Sequence, residues 1–252
     1  MNNSAKTAVI TGAGAGIGRA TTLTLLRNGY NVVLTGRREA ILQEVIAEAG
    51  QNGSSALAVA ADVGDKDQVD RIFDRCMETF GRVDVLFNNA GIGAAPVDID
   101  ELDVSAWSAV INTNITGSFL CARRAFAEMK KQSPQGGRII NNGSISAHAP
   151  RPNSTPYTVS KHAITGLTRC LALDGRRYNI ACGQIDIGNA ETEMAKPLGE
   201  GTAQANGSIM SEPLMDVQHV ADSVLNMANL PLESNVLFMT IMATKMPLVG
   251  RG

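Results

Sequence analysis

Thr7-Ala8-Val9-Ile10-Thr11-Gly12-Ala13-Gly14-Ala15-Gly16-Ile17-Gly18 reads as a strand running straight into a glycine loop. The short apolar run fits a strand covered on both faces. A helical pattern follows, with Ala20, Leu23 and Leu26 on one side and Asn28-Gly29 as its stop. Glycines let a backbone turn tightly and approach a pyrophosphate, and the helix N-terminus supplies free N–H groups and the positive end of its dipole. Strand, glycine loop and helix in this order open a dinucleotide-binding unit. The spacing is GxxxGxG through Gly12, Gly16 and Gly18, and not the strict GxGxxG.

Outward from that stretch, strands and helices alternate. Residues 31–35 give a second strand, ending in Gly36-Arg37-Arg38. An acidic residue there would bond a ribose 2′-hydroxyl; a glycine followed by a guanidinium suits a 2′-phosphate, so the expected cofactor is NADP(H), with NAD(H) second. Residues 40–49 form an amphipathic helix and 56–61 a third strand, ending at Asp62-Val63. Asp62 is placed either to bond an adenine amino group or to serve as an N-cap or turn residue. A helix spans 65–80, and a fourth strand, 83–87, leads into Asn88-Asn89-Ala90-Gly91. One long helix is expected from Asp103 or Ser105 toward Met129, with Asn114 inside it as the site of a kink or a specific hydrogen bond. Strands follow at 138–141, 179–185 and 236–241, with helices at 156–178 and 216–229. The polar, Gly-rich stretch 189–212 lacks strong periodicity and is expected to be a substrate lid, with Met194, Leu198, Ile209 and Met210 facing an apolar pocket. The expected architecture is an α/β single-domain Rossmann fold over residues 1–252, a doubly wound parallel sheet flanked by helices.

Composition bounds the rest. The chain has 252 residues, 44% apolar and 18% charged, with formal net charge −2, so no basic field invites nucleic acid or an anionic membrane. No apolar run approaches a membrane span, and no secretory leader is visible. Cys76, Cys121, Cys170 and Cys182 form no CxxC and read as reduced thiols in a cytoplasmic protein. His148, His162 and His219 show no ligand spacing, so no metal site is expected; His148 either lines the pocket or stands exposed in its loop.

The chemistry is carried by Ser144, Tyr157 and Lys161. Tyr157 and Lys161 are four residues apart, which puts both side chains on one face of a helix, one turn apart. A phenol beside an ammonium is a proton donor, because the positive charge favours phenolate. Ser144 follows an apolar strand, and its hydroxyl can hold a substrate oxygen beside the tyrosine.

Together these motifs resemble the short-chain dehydrogenase/reductase family over nearly the whole chain: Thr11-Gly12-(x)3-Gly16-Ile17-Gly18, Asn88-Asn89-Ala90-Gly91, Asn114 in Asn-Ile-Thr-Gly, Ser144, and Tyr157-(x)3-Lys161. The resemblance implies a seven-stranded sheet in order 3-2-1-4-5-6-7. It implies Tyr157 as acid/base, Lys161 on the nicotinamide ribose, Ser144 orienting the substrate oxygen, and Asn114 holding a relay water. It further implies a cofactor site made of Gly12, Ala15, Gly16, Ile17, Gly18, Arg37, Asp62, Val63, Asn89, Ala90, Gly91, Tyr157, Lys161, Gly188, Ala190 and Thr192. The implied activity is NADPH-dependent hydride transfer between nicotinamide and a carbonyl or secondary alcohol, in a homotetramer or homodimer. Phe119, Phe126, Leu167 and Leu171 are candidates for a subunit face or for the core.

Two alternatives stand beside it. One is a 3-oxoacyl carrier-protein reductase, which needs a basic docking patch at the pocket; Arg123, Arg124, Lys130, Lys131, Arg176 and Arg177 are the candidates. The other is a non-catalytic NADP-binding regulator or scaffold. The chain also departs from the family pattern. Where the family carries Asn-x-x-x-Pro-Gly, the chain reads Gly183-Gln184-Ile185-Asp186-Ile187-Gly188. Without the proline, the backbone at Ile187 is expected to be less fixed. Asp186 is expected either to bond a neighbouring amide or to touch substrate, and the apolar tail from Ala243 to Gly252 to pack on itself or on another subunit.

Overall fold

The first strand forms where the apolar run places it, as β1 (Thr7–Thr11), buried along its whole length. The computed structural model describes residues 5–249. β1 is followed by β2 (Asn31–Gly36), β3 (Ala56–Ala60), β4 (Val85–Asn88), β5 (Gly137–Asn142), β6 (Ile180–Ile187) and β7 (Phe238–Ile241). The seven strands lie in the order β3-β2-β1-β4-β5-β6-β7, and every neighbouring pair is parallel. The helices between them are α1 (Gly16–Arg27), α2 (Glu39–Glu48), α3 (Lys66–Phe80), α4 (Val104–Ile111), α5 (Ser118–Lys131), α6 (Thr155–Asp174), the short α7 (Lys196–Glu200) and α8 (Val217–Asn229).

Side chains of a strand alternate between faces, and both faces are covered here. Ala8, Ile10, Val32, Leu34, Val85 and Phe87 pack with Leu25 and Leu26 of α1 and Val220 and Val224 of α8. Their neighbours Val9, Val33, Leu86 and Ile139 pack with Ile72 and Phe73 of α3 and Cys121 and Ala125 of α5. This double burial is why the strands read as unbroken apolar runs. Burial pushes the Cys76, Cys121 and Cys182 thiols up to about 12, while Cys170 is exposed. Among the described residues, no helix is long and apolar enough to cross a membrane.

Several expected boundaries move. β4 starts at Val85 and β7 at Phe238, each two residues later than the apolar runs, because the pairing and not the composition sets where a strand begins. The long helix through Asn114 is two helices joined by a π-helical turn, Asn112–Gly117. α6 ends at Asp174, and Arg176–Tyr178 is a separate 3-10 turn. Within 189–212 lie α7 and an antiparallel pair, Thr202–Ala203 with Ile209–Met210. Met194, Ile209 and Met210 are exposed there, not turned into an apolar pocket.

The missing proline leaves nothing loose. β6 runs on to Ile187, which pairs with Ile241 of β7, and the Gly188 N–H bonds the Ile241 carbonyl at 2.8 Å. Ala243 and Met246 of the tail are buried in the α1/α8 side of the core, so the described part of the tail packs on its own chain; residues 250–252 lie outside the described residues. Phe126 and Leu171 join the α3/α5 side of the core, whereas Phe119 is exposed.

In an open parallel sheet all strand ends of one kind share a rim. The order reverses between β1 and β4, and the crevice at that switch point is where such folds place ligands.

Candidate active site

At the switch point the glycine loop leaves β1. Gly12 has φ +65° and Gly16 φ +50°, the left-handed region that favours glycine. Ala15, the N-cap of α1, makes no side-chain cap hydrogen bond, and no acidic residue lies in the first turn. The N–H groups of that turn therefore face the crevice without a side-chain acceptor, a setting that suits an anion. The Thr11 hydroxyl accepts the N–H groups of Asn89 and Ala90, both at 2.8 Å, and Asn89 Nδ2 donates to the Thr11 carbonyl at 2.8 Å. The end of β4 is thereby fastened to the loop, so close that a Cβ on Gly12 would stand 3.0 Å from Ala90 Cα. Thr192 lies over the loop, its Cγ2 2.9 Å from where a Cβ on Gly16 would be.

A cleft of about 230 Å3 opens beside the loop. Of the expected cofactor residues, Gly12, Ala15, Arg37, Asp62, Val63, Ala90 and Gly91 line it. Gly36 lines it beside Arg37, as expected, and Gly14, Arg38, Ile41, Ile92 and Thr113 line it too, unforeseen from the sequence. Arg37 and Arg38 are exposed at its mouth. Asp62 holds the Gly64 N–H at 2.9 Å, as a turn residue does, while also facing the cleft. Gly16, Ile17, Gly18, Asn89, Tyr157, Lys161, Gly188, Ala190 and Thr192 are not part of this wall; Gly188 packs against Met242 and Met246, and Ala190 bridges to Met215.

The expected catalytic residues gather along the same rim. The Asn114 side chain spans two elements: Oδ1 accepts the Ile92 N–H at 2.8 Å, while Nδ2 donates to the Ile92 carbonyl and to Ser160 Oγ, both at 3.0 Å. Asn114 lies within the π-helical turn, and its side chain is buried. Lys161 is buried, its Nζ donating to the Asn142 carbonyl at 2.8 Å and standing 5.4 Å from the Tyr157 ring centroid. Asn142 Nδ2 in turn donates to Asn89 Oδ1 at 2.8 Å. A hydrogen-bonded path thus runs from the glycine loop through Asn89 and Asn142 to Lys161. Ser144 caps the Ile145–Ala147 turn, accepting the Ser146 N–H at 3.1 Å. Asn142 and Ser160 had a visible signal in the sequence: Asn142 is the second of two asparagines that end the apolar run Ile139-Ile140, and Ser160 sits inside the Tyr-Lys motif.

The loop between Ser144 and Tyr157 is tied to the 189–212 segment. Arg151 Nη2 donates to Glu212 at 2.6 Å and to Asn189 Oδ1 at 2.8 Å, and Asn189 Nδ2 also donates to Glu212 at 2.9 Å. Burial pushes the Glu212 carboxyl up, but hydrogen bonds from Arg151, Asn189 and Gln204 and the Arg151 charge outweigh it and hold the group below its usual value of 4.5. A carboxyl depressed on folding stabilises the folded state above its unfolded pKa and ceases to as pH falls through the folded pKa. Thermal midpoints of the wild type are therefore expected to drop on acidification below about 4.5. The Glu212→Gln variant should start lower at neutral pH and lose less; equal acid slopes would remove the pair as the cause.

The basic residues are elsewhere. Arg124 pairs with Asp70, Asp74 and Glu128. Lys130 and Arg177 lie over the Tyr178 ring at 4.5 and 4.7 Å. Lys130 and Lys131 end α5 and Arg176 and Arg177 sit in the 3-10 turn after α6, where the chain leads into β5 and β6, on the rim opposite Ser144 and Tyr157.

The chain is similar to known proteins in sequence and in fold. The family model for short chain dehydrogenase matches residues 6–203. A 3beta-hydroxysteroid dehydrogenase of Mediterraneibacter gnavus is 35% identical over 191 residues, 76% of this chain and 68% of that protein. The solved 3-ketoacyl-(acyl-carrier-protein) reductase of Brucella melitensis, complexed with NADH, superposes with TM-score 0.83 at 26% identity, covering 94% of this chain and 96% of the other. ElxO with NADP bound superposes with TM-score 0.83 at 30% identity, covering 94% and 97%.

Proposed function

The chain belongs to the short chain dehydrogenase family, and from that premise we propose that it is an NADPH-dependent oxidoreductase interconverting a ketone and a secondary alcohol. The observation that carries the reading is the path from the glycine loop through Asn89 and Asn142 to Lys161, which sets a dinucleotide cradle and a tyrosine-lysine pair side by side. The α1 N-terminus, without a side-chain cap, fits a pyrophosphate, and Arg37 at the cleft mouth fits a 2′-phosphate. When bound, the dihydronicotinamide supplies the hydride.

Everything else belongs to the chain. Tyr157 gives its proton to the carbonyl oxygen as charge develops there, and takes it back in the oxidative direction. Lys161, held by the Asn142 carbonyl, attracts the negative charge left on the phenol oxygen. Ser144 donates a hydrogen bond to the same substrate oxygen and fixes its place. Asn114 holds the 92 backbone against α6, so the floor of the site and the helix carrying Tyr157 keep one spacing. The 189–212 segment, clamped by Arg151, covers the substrate.

The test is calorimetric titration with each dinucleotide, followed by a ketone panel with the one bound. NADPH should bind at least about tenfold tighter than NADH, the worth of one charge-assisted contact. Arg37→Ala should remove that preference by weakening NADPH alone. Equal or tighter NADH binding in the wild type would sever Arg37 from the cofactor, and binding of neither would remove the oxidoreductase reading.

A further inference from the structure

Asp186 is 1% exposed, in the strand stretch where the chain departs from its family's pattern. Both its carboxylate oxygens are engaged. Oδ1 accepts the Ser144 backbone N–H at 3.0 Å and the Gln184 amide at 2.6 Å. Oδ2 bonds His148 Nε2 at 2.9 Å, and because a carboxylate only accepts, that nitrogen carries the hydrogen. Gln184 continues inward: its Nε2 also donates to Thr165 Oγ1, and its Oε1 accepts from Thr168 Oγ1, both at 3.0 Å. Thr165 and Thr168 lie on α6, the helix that carries Tyr157 and Lys161.

We propose that Asp186 is a positioning residue for the reaction: with Gln184 it forms a strut that sets Ser144 relative to Tyr157. The inference rests on the reading of Ser144 and Tyr157 given above and goes beyond it. The Ser144 main chain is joined to α6 through Asp186 and Gln184, and the Ser144 hydroxyl is separately aligned by the Ser146 N–H. His148, four residues on, fastens the far end of the same 3-10 turn to the same carboxylate, so the turn is held at both ends. An independent feature agrees. A Cβ on Gly143 would stand 2.0 Å from Asp186 Oδ1 and 2.7 Å from Gln184 Nε2, so the peptide can close on the strut only because residue 143 has no side chain. Hydrogen bonds to a buried carboxylate are short and stiff. An error of about 1 Å in the placement of a reacting group costs on the order of a hundredfold in rate, which is the size of effect such a strut controls.

The experiment compares Asp186→Ala, Asp186→Asn and Gln184→Leu with the wild type. Three measurements are made on each: kcat and KM for a ketone the wild type reduces, NADPH affinity by calorimetry, and hydrogen exchange at the Ser144 amide. Asp186→Ala should lower kcat about a hundredfold, leave NADPH affinity within about twofold, and free the Ser144 amide to exchange. Asp186→Asn keeps an oxygen for the Ser144 N–H and the Gln184 amide and loses the acceptor for His148 Nε2–H unless that ring changes tautomer, so it should restore kcat to within about tenfold of wild type and slow the exchange again. Gln184→Leu severs the link to α6 but leaves the Asp186 to Ser144 bond, so kcat should fall while the Ser144 amide stays protected. A merely structural Asp186 would lower the thermal midpoint with kcat of the folded protein intact, and that result overturns the proposal. Where Asp186→Ala does not fold, unchanged kcat in Gln184→Leu overturns it equally. Unchanged Ser144 exchange in Asp186→Ala overturns the strut whatever the kinetics. A wild type that binds NADPH but reduces no ketone overturns the oxidoreductase reading instead, and the exchange rates then judge the strut by themselves.

Discussion

Replacing Tyr157 by Phe is expected to lower turnover by about a hundredfold to ten-thousandfold, the range over which a positioned acid or base contributes. The change removes one oxygen and leaves the ring, so the packing around Lys161 and the Lys161 bond to the Asn142 carbonyl should persist. NADPH affinity should stay within about twofold, because the glycine loop, the α1 N-terminus and Arg37 are untouched. Steady-state rates with a ketone that the wild type accepts, beside calorimetry, separate the two quantities. Turnover within about tenfold of the wild type would mean that the proton comes from another group, and the proposed mechanism would fall.

Gly18→Ala is expected to act on the other half of the site. A Cβ at residue 18 would stand 2.2 Å from the Gly12 carbonyl oxygen and 2.7 Å from Asn89 Nδ2. Both neighbours are held: the Gly12 carbonyl accepts from Asn89 Nδ2 at 3.3 Å, and Asn89 is bonded to Thr11 and Asn142. The loop must therefore open by an ångström or so, and the N–H groups that would meet the pyrophosphate move with it. A loss of about a hundredfold in NADPH affinity is expected, with overpacking costing about 1–3 kcal/mol of stability. Gly29→Ala is the control. Gly29 has a left-handed φ, +79°, but nothing lies within 4 Å of its added Cβ, so stability should fall slightly and affinity not at all. Equal affinities in wild type and Gly18→Ala would place the dinucleotide away from this loop.

Much of the fold was legible because its signals are local. Val9, Val33 and Leu86 sit in continuous apolar runs, and each run is a strand buried on both faces. The glycine loop and the Tyr157 to Lys161 spacing are likewise contained in a few residues, and the structure gathers Asn114, Ser144, Tyr157 and Lys161 on one rim. What stayed hidden depends on contacts between residues far apart in the chain. The Asp186 bonds to Ser144 and His148 cross 42 and 38 positions and leave no periodic trace. The same is true of Thr11, whose hydroxyl reaches Asn89 and Ala90. The apolar residues of 189–212 misled for a related reason: an irregular segment has no period to say which side faces inward, and Ile209 and Met210 face out. The basic residues of α5 and α6 were near one another in sequence, but which rim they occupy follows only from the direction in which each helix returns to the sheet.

The clamp at Arg151 has a consequence for how this protein can diversify. Asn189 and Glu212 are held by one guanidinium, and just inside and beyond them the Met215 N–H bonds the Asn189 carbonyl and the Glu191 N–H bonds the Met215 carbonyl. The excursion from 190 to 211 therefore leaves and re-enters the scaffold through a single stapled gate. The entropy of closing such an excursion grows only with the logarithm of its length, by about 0.6 kcal/mol per doubling. On the proposed reading of this segment as the cover over substrate, its length and its exposed side chains, Met194, Ile209 and Met210 among them, can change, while Thr192 over the glycine loop and Gln204 on Glu212 keep their places.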